Sequence, residues 1–488
     1  MISRKGDSRV KAKEKDEVIR KLWEPKVAKK LARELADVAA EALTVKSGPV
    51  RRPNAEKWAA NIVDTAAKKW DLAKLVRKVC ATSLATSHPR YGAQQVAAPI
   101  PAAALVESVV AAMNQSLAVW EMSPIGTAVD RDLMTGFKKL FGYPRAAEGS
   151  LVPGGAFANL TALLAARDWL EPRASKNGQA RIAIVVGAQA HYSIARAAAI
   201  LGLGRDAVFN VPLDAEFCTD VSKCEEVFTE AQKAGFRKYI LVASSGSTPT
   251  GSFDALVRLS QIAKRHGAWF HVDAAHGGGL AFSRSLRWRL KGLDRADSLI
   301  FDPHKMMFMP LAAGGVLVRD GTRLAGPLQE GAPYLFGSKR RFPDLGQLTI
   351  ACSQRFDALK VWLVWRVYGS ELWDQLTTHV CEVARAAFQY CLKSEILEPV
   401  HEPHSNIFCF RLCQGGRDSD RRHWMIKEEL NESGYAYISS TVLDGRRVLR
   451  VVIMNPRTTD ADICDVLRRI EQIATGGSRK KPVRRGRQ

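Results

Sequence analysis

The spacing of apolar residues changes several times along this chain. From about residue 16 to 80, Leu22, Val27, Leu31, Leu35 and Val38 recur at near-helical intervals between charged positions, which predicts a helical N-terminal segment over residues 16–85. Beyond it, short runs rich in β-branched residues alternate with amphipathic ones. Arg181–Val186, Tyr239–Ala243, Trp269–Val272, Ser298–Phe301 and Gly315–Val318 read as strands, and His191–Leu201 and Asp254–His266 as helices. This repeated order predicts an α/β domain over residues 86–375, built on a large, mainly parallel sheet with helices on both faces. Ligands of such sheets collect at the carboxyl ends of the strands. An amphipathic helix carrying Phe356, Leu359, Trp362, Leu363 and Trp365 leads to a boundary near residue 375, and residues 376–474 read as a smaller α+β domain. No internal repeat is visible.

Composition narrows the class. With 488 residues, 46% of them hydrophobic and 25% charged, the chain is long enough for two or three domains with buried cores. The longest uncharged run, Gly149 to Ala166, contains Pro153, Gly154, Gly155 and Asn159, so it reads as a loop entering a helix and not as a membrane span. The polar first residues give no sign of a secretory leader. Nine cysteines are scattered without a Cys-x-x-Cys pair, which fits reduced thiols in a cytoplasmic protein. The net charge of +22 raises the question of nucleic acid. Residues 1–30 and 478–488 each contribute +6 of it, so more than half lies at the two ends. Residues 1–15 and 475–488 are expected to be disordered basic tails, with no nucleic-acid partner.

The candidate chemistry sits at two strand ends. In His271-Val272-Asp273-Ala274-Ala275-His276-Gly277-Gly278-Gly279, strand alternation places His271, Asp273 and Ala275 on one face. A carboxylate there needs a cationic partner, and a protonated pyridine nitrogen is one. After the next strand comes Asp302-Pro303-His304-Lys305, whose lysine amine can form an imine with an aldehyde. Alone, such an Asp is often structural and such a Lys a surface residue; together they point to a pyridoxal cofactor.

With the neighbouring Arg295-Ala296-Asp297-Ser298 and Pro303-His304-Lys305-Met306-Met307, this block resembles the group II pyridoxal-phosphate-dependent decarboxylases, which include glutamate, cysteine-sulfinate and aromatic amino-acid decarboxylases. His88-Pro89-Arg90-Tyr91, Gly154-Gly155 with Ala158-Asn159-Leu160, His191-Tyr192-Ser193, and Leu449-Arg450 with Asn455-Pro456 follow the family's order, over roughly residues 85–470. The resemblance implies fold type I and pyridoxal 5'-phosphate held as a Schiff base by Lys305. Asp273 would meet the pyridinium nitrogen, and His191, otherwise a helix cap, would stack on the ring. Thr248 and Ala275 would lie near the ring, and Gly154, Gly155 and Ala156 would face the phosphate at a helix start. Arg450 would hold the substrate α-carboxylate, and Gln94 corresponds to a substrate-contacting glutamine. A homodimer with shared active sites is also implied.

Several positions depart from the family pattern. Ala156 stands where many members have Ser or Thr, and Phe157 often corresponds to an acid, so phosphate binding would lean on backbone donors, the surroundings of Asp302, and His304 or Ser193. The loop Gly337-Ser338-Lys339-Arg340-Arg341-Phe342-Pro343 lacks the tyrosine that commonly returns a proton to Cα; Phe342 stands nearest, and Tyr334 lies just upstream. The leading expectation is decarboxylation of an L-amino acid to the amine. An aldehyde-forming synthase and a degenerate scaffold for acidic partners are the alternatives. His88-Pro89-Arg90-Tyr91, Gln94 and the Gly277–Leu280 run favour an acidic substrate such as glutamate, whereas His276 replaces a tryptophan frequent in that branch.

Overall fold

The computed structural model of the chain describes residues 24–45, 48, 50, 71–329, 343–414 and 418–476. Expectations for most of both basic tails, for residues 51–70, for Tyr334 and for Gly337–Phe342 lie outside the described residues.

Seven strands form the large sheet: β2 (Glu148–Val152), β3 (Ile182–Gly187), β4 (Val208–Val211), β5 (Lys238–Ser244), β6 (Trp269–Ala274), β7 (Ser298–Phe301) and β8 (Gly314–Val318), in the order β2-β8-β7-β6-β5-β3-β4. The pairings from β7 through β6, β5 and β3 to β4 are parallel, as expected for strands separated by helices such as Ser193–Ile200 and Leu256–Arg265. β8 runs antiparallel to both of its neighbours. No helix separates β7 from β8, so the chain can return only by reversing direction. The central strands are continuous apolar runs because both faces of the sheet are covered; Ile182 to Val186 and Leu299 to Phe301 are buried.

Five strands form the second sheet, in the order β1-β11-β12-β10-β9: β1 (Tyr91–Gly92), β9 (Leu397–Pro399), β10 (Ile407–Leu412), β11 (Tyr437–Leu443) and β12 (Arg446–Val452). β1 comes from the His88-Pro89-Arg90-Tyr91 segment and pairs in parallel with β11, so a stretch from the N-terminal side completes the C-terminal sheet. Helices Ser419–Ser433 and Asp460–Ala474 accompany these strands, the second opened by a reciprocal Thr459–Asp462 capping box.

The helix expected to lead out of the large domain spans Ala358–Lys393 and is broken at Gly369, whose φ of 68° and ψ of −178° no other residue adopts cheaply. Before the break Trp365 packs on Phe137 of the large domain, at 5.2 Å between rings. After it Val380, Val383, Ala384 and Ala387 are buried, and this half packs against β9 and β10. The boundary expected near residue 375 falls in this second half. Helices Pro25–Leu43 and Leu72–Thr82 are the described part of the N-terminal segment, joined by a two-pronged Arg77–Glu41 ion pair.

Candidate active site

Strands β2, β3, β5, β6 and β7 share one direction, so their carboxyl ends lie along one edge of the sheet. Pro153 and Gly154 follow β2, His191 follows β3, Ser247 and Thr248 follow β5, Ala275 and His276 follow β6, and Asp302 to Lys305 follow β7. All of these except Pro303, with Gly155, Ala156, Asn159 and Asp273, line one cavity of about 460 Å³.

Lys305 is placed by a tight turn. Its N–H donates to the Asp302 carbonyl and the Phe308 N–H to the Lys305 carbonyl, while Met306, Met307 and Phe308 are fully buried. The Trp373 indole donates to the Met307 carbonyl at 2.7 Å, tying the turn to the long helix. Lys305 Nζ stands 3.5 Å from Asp302 Oδ2, and His304 Nε2 is also 3.5 Å from that oxygen. Burial pushes the Asp302 carboxyl up from its ordinary range despite the opposing pull of Lys305 and His304. Burial likewise holds His304 below its usual value.

Asp273 ends β6 beside Ser244 of β5. Its Oδ1 accepts the Ala275 N–H at 3.0 Å and its Oδ2 accepts from Asn159 Nδ2 at 2.9 Å. His191 is half-buried, and desolvation lowers its pKa although Asp273 pulls the other way. His276 is sealed among neighbours, with Nε2 2.7 Å from Asn406 Oδ1; burial first, then Lys305, drive it down to about 3, so its ring is neutral. Its Nδ1 has no hydrogen-bond partner among the described residues.

The residues present fit pyridoxal phosphate. Helix Gly155–Leu170 opens at the cavity, and Phe157 and Ala158 both donate to the Gly154 carbonyl, which leaves the leading amides of Gly155 and Ala156 for an anion. A Cβ on Gly155 would stand 2.7 Å from Asp302 Oδ2, so the cradle needs a glycine there. Among the described residues Asp302 Oδ1 is buried without a hydrogen-bond partner, which leaves it free to take a hydrogen from a bound group. Across the cavity lie an amine for an aldehyde and a carboxylate for a ring nitrogen.

Two expected substrate contacts stand elsewhere. Arg450 does not line this cavity. Its guanidinium donates to the carbonyls of Thr248, Pro249 and Ala93 and to Ser439 Oγ, at 2.7, 2.8, 3.0 and 3.1 Å, and thereby holds the Thr248–Pro249 loop from behind. Gln94 is exposed just after edge strand β1, away from the cavity lining, whereas its neighbour Gln95 is half-buried. Asn159 went unassigned in the sequence although it bonds directly to Asp273. The signal was a buried Asn in a helix otherwise walled by Ala and Leu, since such a side chain must find polar partners.

Known proteins with this arrangement are numerous. Residues 55–413 match the pyridoxal-dependent decarboxylase conserved domain. L-2,4-diaminobutyrate decarboxylase of Rhizobium meliloti (strain 1021) is 34% identical over 407 residues, covering 82% of this chain and 80% of the relative. Cysteine sulfinic acid decarboxylase of Mus musculus is 29% identical over 416 residues, covering 81% and 84%. A crystal structure of mouse CSAD has a TM-score of 0.86 at 26% identity, covering 92% of this chain and 99% of that one. The chain therefore belongs to the group II pyridoxal-phosphate-dependent decarboxylases, the family of amino-acid carboxy-lyases whose motifs its sequence carries.

Proposed function

We propose that this enzyme decarboxylates an L-amino acid bearing a second amino group, with L-2,4-diaminobutyrate the first candidate, and releases carbon dioxide and the amine. The observation that carries the decarboxylase reading is the convergence of Lys305, Asp273 and the glycine-led helix start on one cavity. When bound, pyridoxal phosphate supplies an electron sink for the pair left at Cα as carbon dioxide departs. Lys305 would hold the cofactor through its side-chain amine. Asp273, fixed by Ala275 and Asn159, keeps a ring nitrogen protonated, and His191 walls the cavity beside it. Gly155 and Ala156 hold the phosphate through backbone N–H groups, with His304 and Asp302 beside them. Thr248 and Ala275 close the remaining sides. Arg450 has one N–H beyond its four bonds and steadies the loop that would meet the substrate carboxylate.

The acidic substrate expected from the sequence finds little support in these walls. Lys305 is the only Lys or Arg among the described lining residues, and it is committed to the cofactor. His276 is neutral, so it supplies no positive charge for a second carboxylate. The 34% identical relative is named for diaminobutyrate. Carbon dioxide release from L-2,4-diaminobutyrate, glutamate, cysteine sulfinate and the protein amino acids tests this; turnover confined to acidic substrates would overturn the substrate reading. Amine formed in equal amount with carbon dioxide is expected, whereas aldehyde and peroxide would establish the oxidative route that the absence of a loop tyrosine raises.

A homodimer is part of the same reading. Leu311 lines the cavity yet is 60% exposed, and the amphipathic helix Pro25–Leu43 buries only Val38 within one chain. A second copy covering both would appear as twice the chain mass in light scattering. A reducing compartment such as the cytoplasm is part of the same reading, because the nine cysteines are scattered without a paired spacing. Among the described residues no helix is long and apolar enough to cross a membrane.

A further inference from the structure

The hydrogen-bond directions around Asn159 form a single consistent chain. Asp273 Oδ2 can only accept, so the Asn159 atom 2.9 Å away is the amide nitrogen, and Asn159 Oδ1 faces His271 Nε2 at 2.9 Å. His271 therefore carries its proton on Nε2, in keeping with a ring that burial lowers to about 4 and keeps neutral. Its Nδ1 accepts from Ser298 Oγ at 2.8 Å, and that hydroxyl in turn accepts the Trp269 indole N–H at 2.8 Å. On the other side, the second hydrogen of Asn159 Nδ2 goes to Ser193 Oγ at 2.9 Å. The Ser193 backbone N–H points at His191 Nδ1 from 3.3 Å, which marks that nitrogen as an acceptor, and the Ser193 hydroxyl, 2.7 Å away, donates to it.

We infer that Asn159 is a positioning residue that uses its two amide hydrogens to fix Asp273 as an acceptor and, through Ser193, to lock His191 in the tautomer with its proton on Nε2, the nitrogen left for the cavity. The inference rests on the roles proposed above for Asp273 and His191 and adds what sets them. The array takes its direction from Asp273, which accepts from Asn159, and it ends at Trp269, whose indole can only donate. Ser193, Asn159, His271 and Ser298 are all nearly or fully buried, so water does not supply substitute partners. A near-isosteric Asn159→Asp change has no hydrogen for either neighbour when ionised and one for only one of them when protonated. A Ser193→Ala change leaves the bond to Asp273 intact and removes only the branch to His191.

Nitrogen-15 ring spectra of histidine-labelled protein without cofactor read this directly, with the His191 signals assigned by their loss in His191→Asn. The wild type should show His191 near neutral pH as a neutral ring protonated on Nε2. Both Asn159→Asp and Ser193→Ala should convert it to a mixture of tautomers. Pyridoxal-phosphate affinity should fall by a factor on the order of ten to a hundred in Asn159→Asp, the loss of a hydrogen bond to a charged group, and by less than about threefold in Ser193→Ala. A His191 protonated on Nδ1 in the wild type, or a tautomer unmoved in Ser193→Ala, would overturn the relay even if Asn159→Asp fails to fold. Protein that shows the expected tautomer yet takes up no cofactor would support the relay and sink the function proposed above.

Discussion

Lys305 Nζ lies 3.5 Å from Oδ2 of Asp302, a carboxyl sealed from solvent at the end of β7. Desolvation outweighs the attraction of Lys305 and His304, so the carboxyl binds its proton more tightly in the folded chain than in the unfolded one. For an acid shifted upward, the folded state loses stability as pH rises from the ordinary carboxylate value through the raised one. Asp302→Asn cannot ionise and escapes that loss. Its stability relative to the wild type should therefore grow as pH rises above about 4 in melts of the cofactor-free protein. A difference independent of pH would contradict this.

His271 and His276 have the opposite sign. Both are buried and neutral, lowered to about 4 and about 3. Below about pH 6.5 the unfolded chain takes up protons that these rings refuse, and stability falls by up to about 1.4 kcal/mol per pH unit for each. The stability they support is present above that pH and lost as pH drops. In His276→Gln the acid limb of a denaturant titration should be shallower by about one proton.

Gly155→Ala tests the phosphate cradle. The added methyl would press on Asp302 Oδ2 at 2.7 Å and on the Ala275 methyl at 3.3 Å, both in the cavity wall. Equilibrium dialysis should show pyridoxal phosphate bound at least about tenfold more weakly, with the melting temperature of the cofactor-free protein little changed, because the wall can shift by a few tenths of an ångström at a cost of about 1 kcal/mol. Unchanged affinity would place the phosphate elsewhere.

Arg450→Lys keeps the charge and loses the fork. A lysine cannot reach the Thr248, Pro249 and Ala93 carbonyls together, so a destabilisation of about 2–4 kcal/mol is expected from the lost charged hydrogen bonds. Urea titration measures it. Decarboxylation should fall with it, mainly in kcat/KM, as the loop behind the cavity loosens.

Much of this was legible in the sequence. β3, β5, β6, β7 and β8 announced themselves as short β-branched runs, and Asp273 and Lys305 stood at the ends of two of them. β2 was missed because Glu148–Val152 runs straight into Pro153 and Gly154 and reads as loop, and β4 because an edge strand with half-exposed residues carries no apolar run. The destination of Arg450 could not be read, since its partners at Ala93 and Thr248 are brought together only by the packing of the two sheets. Asn159 was visible only as a polar residue in an apolar helix. Its meaning depended on two strands and a loop converging on it.

The central claim is that Lys305 holds the cofactor, and borohydride reduction of the pyridoxal-phosphate-loaded protein followed by peptide mass mapping tests it most directly. The account predicts one phosphopyridoxyl group per chain on the peptide containing Asp302 to Met306, at Lys305, and none in Lys305→Ala. Modification of a different lysine, or a loaded protein that reduction leaves unlabelled at Lys305, would contradict it.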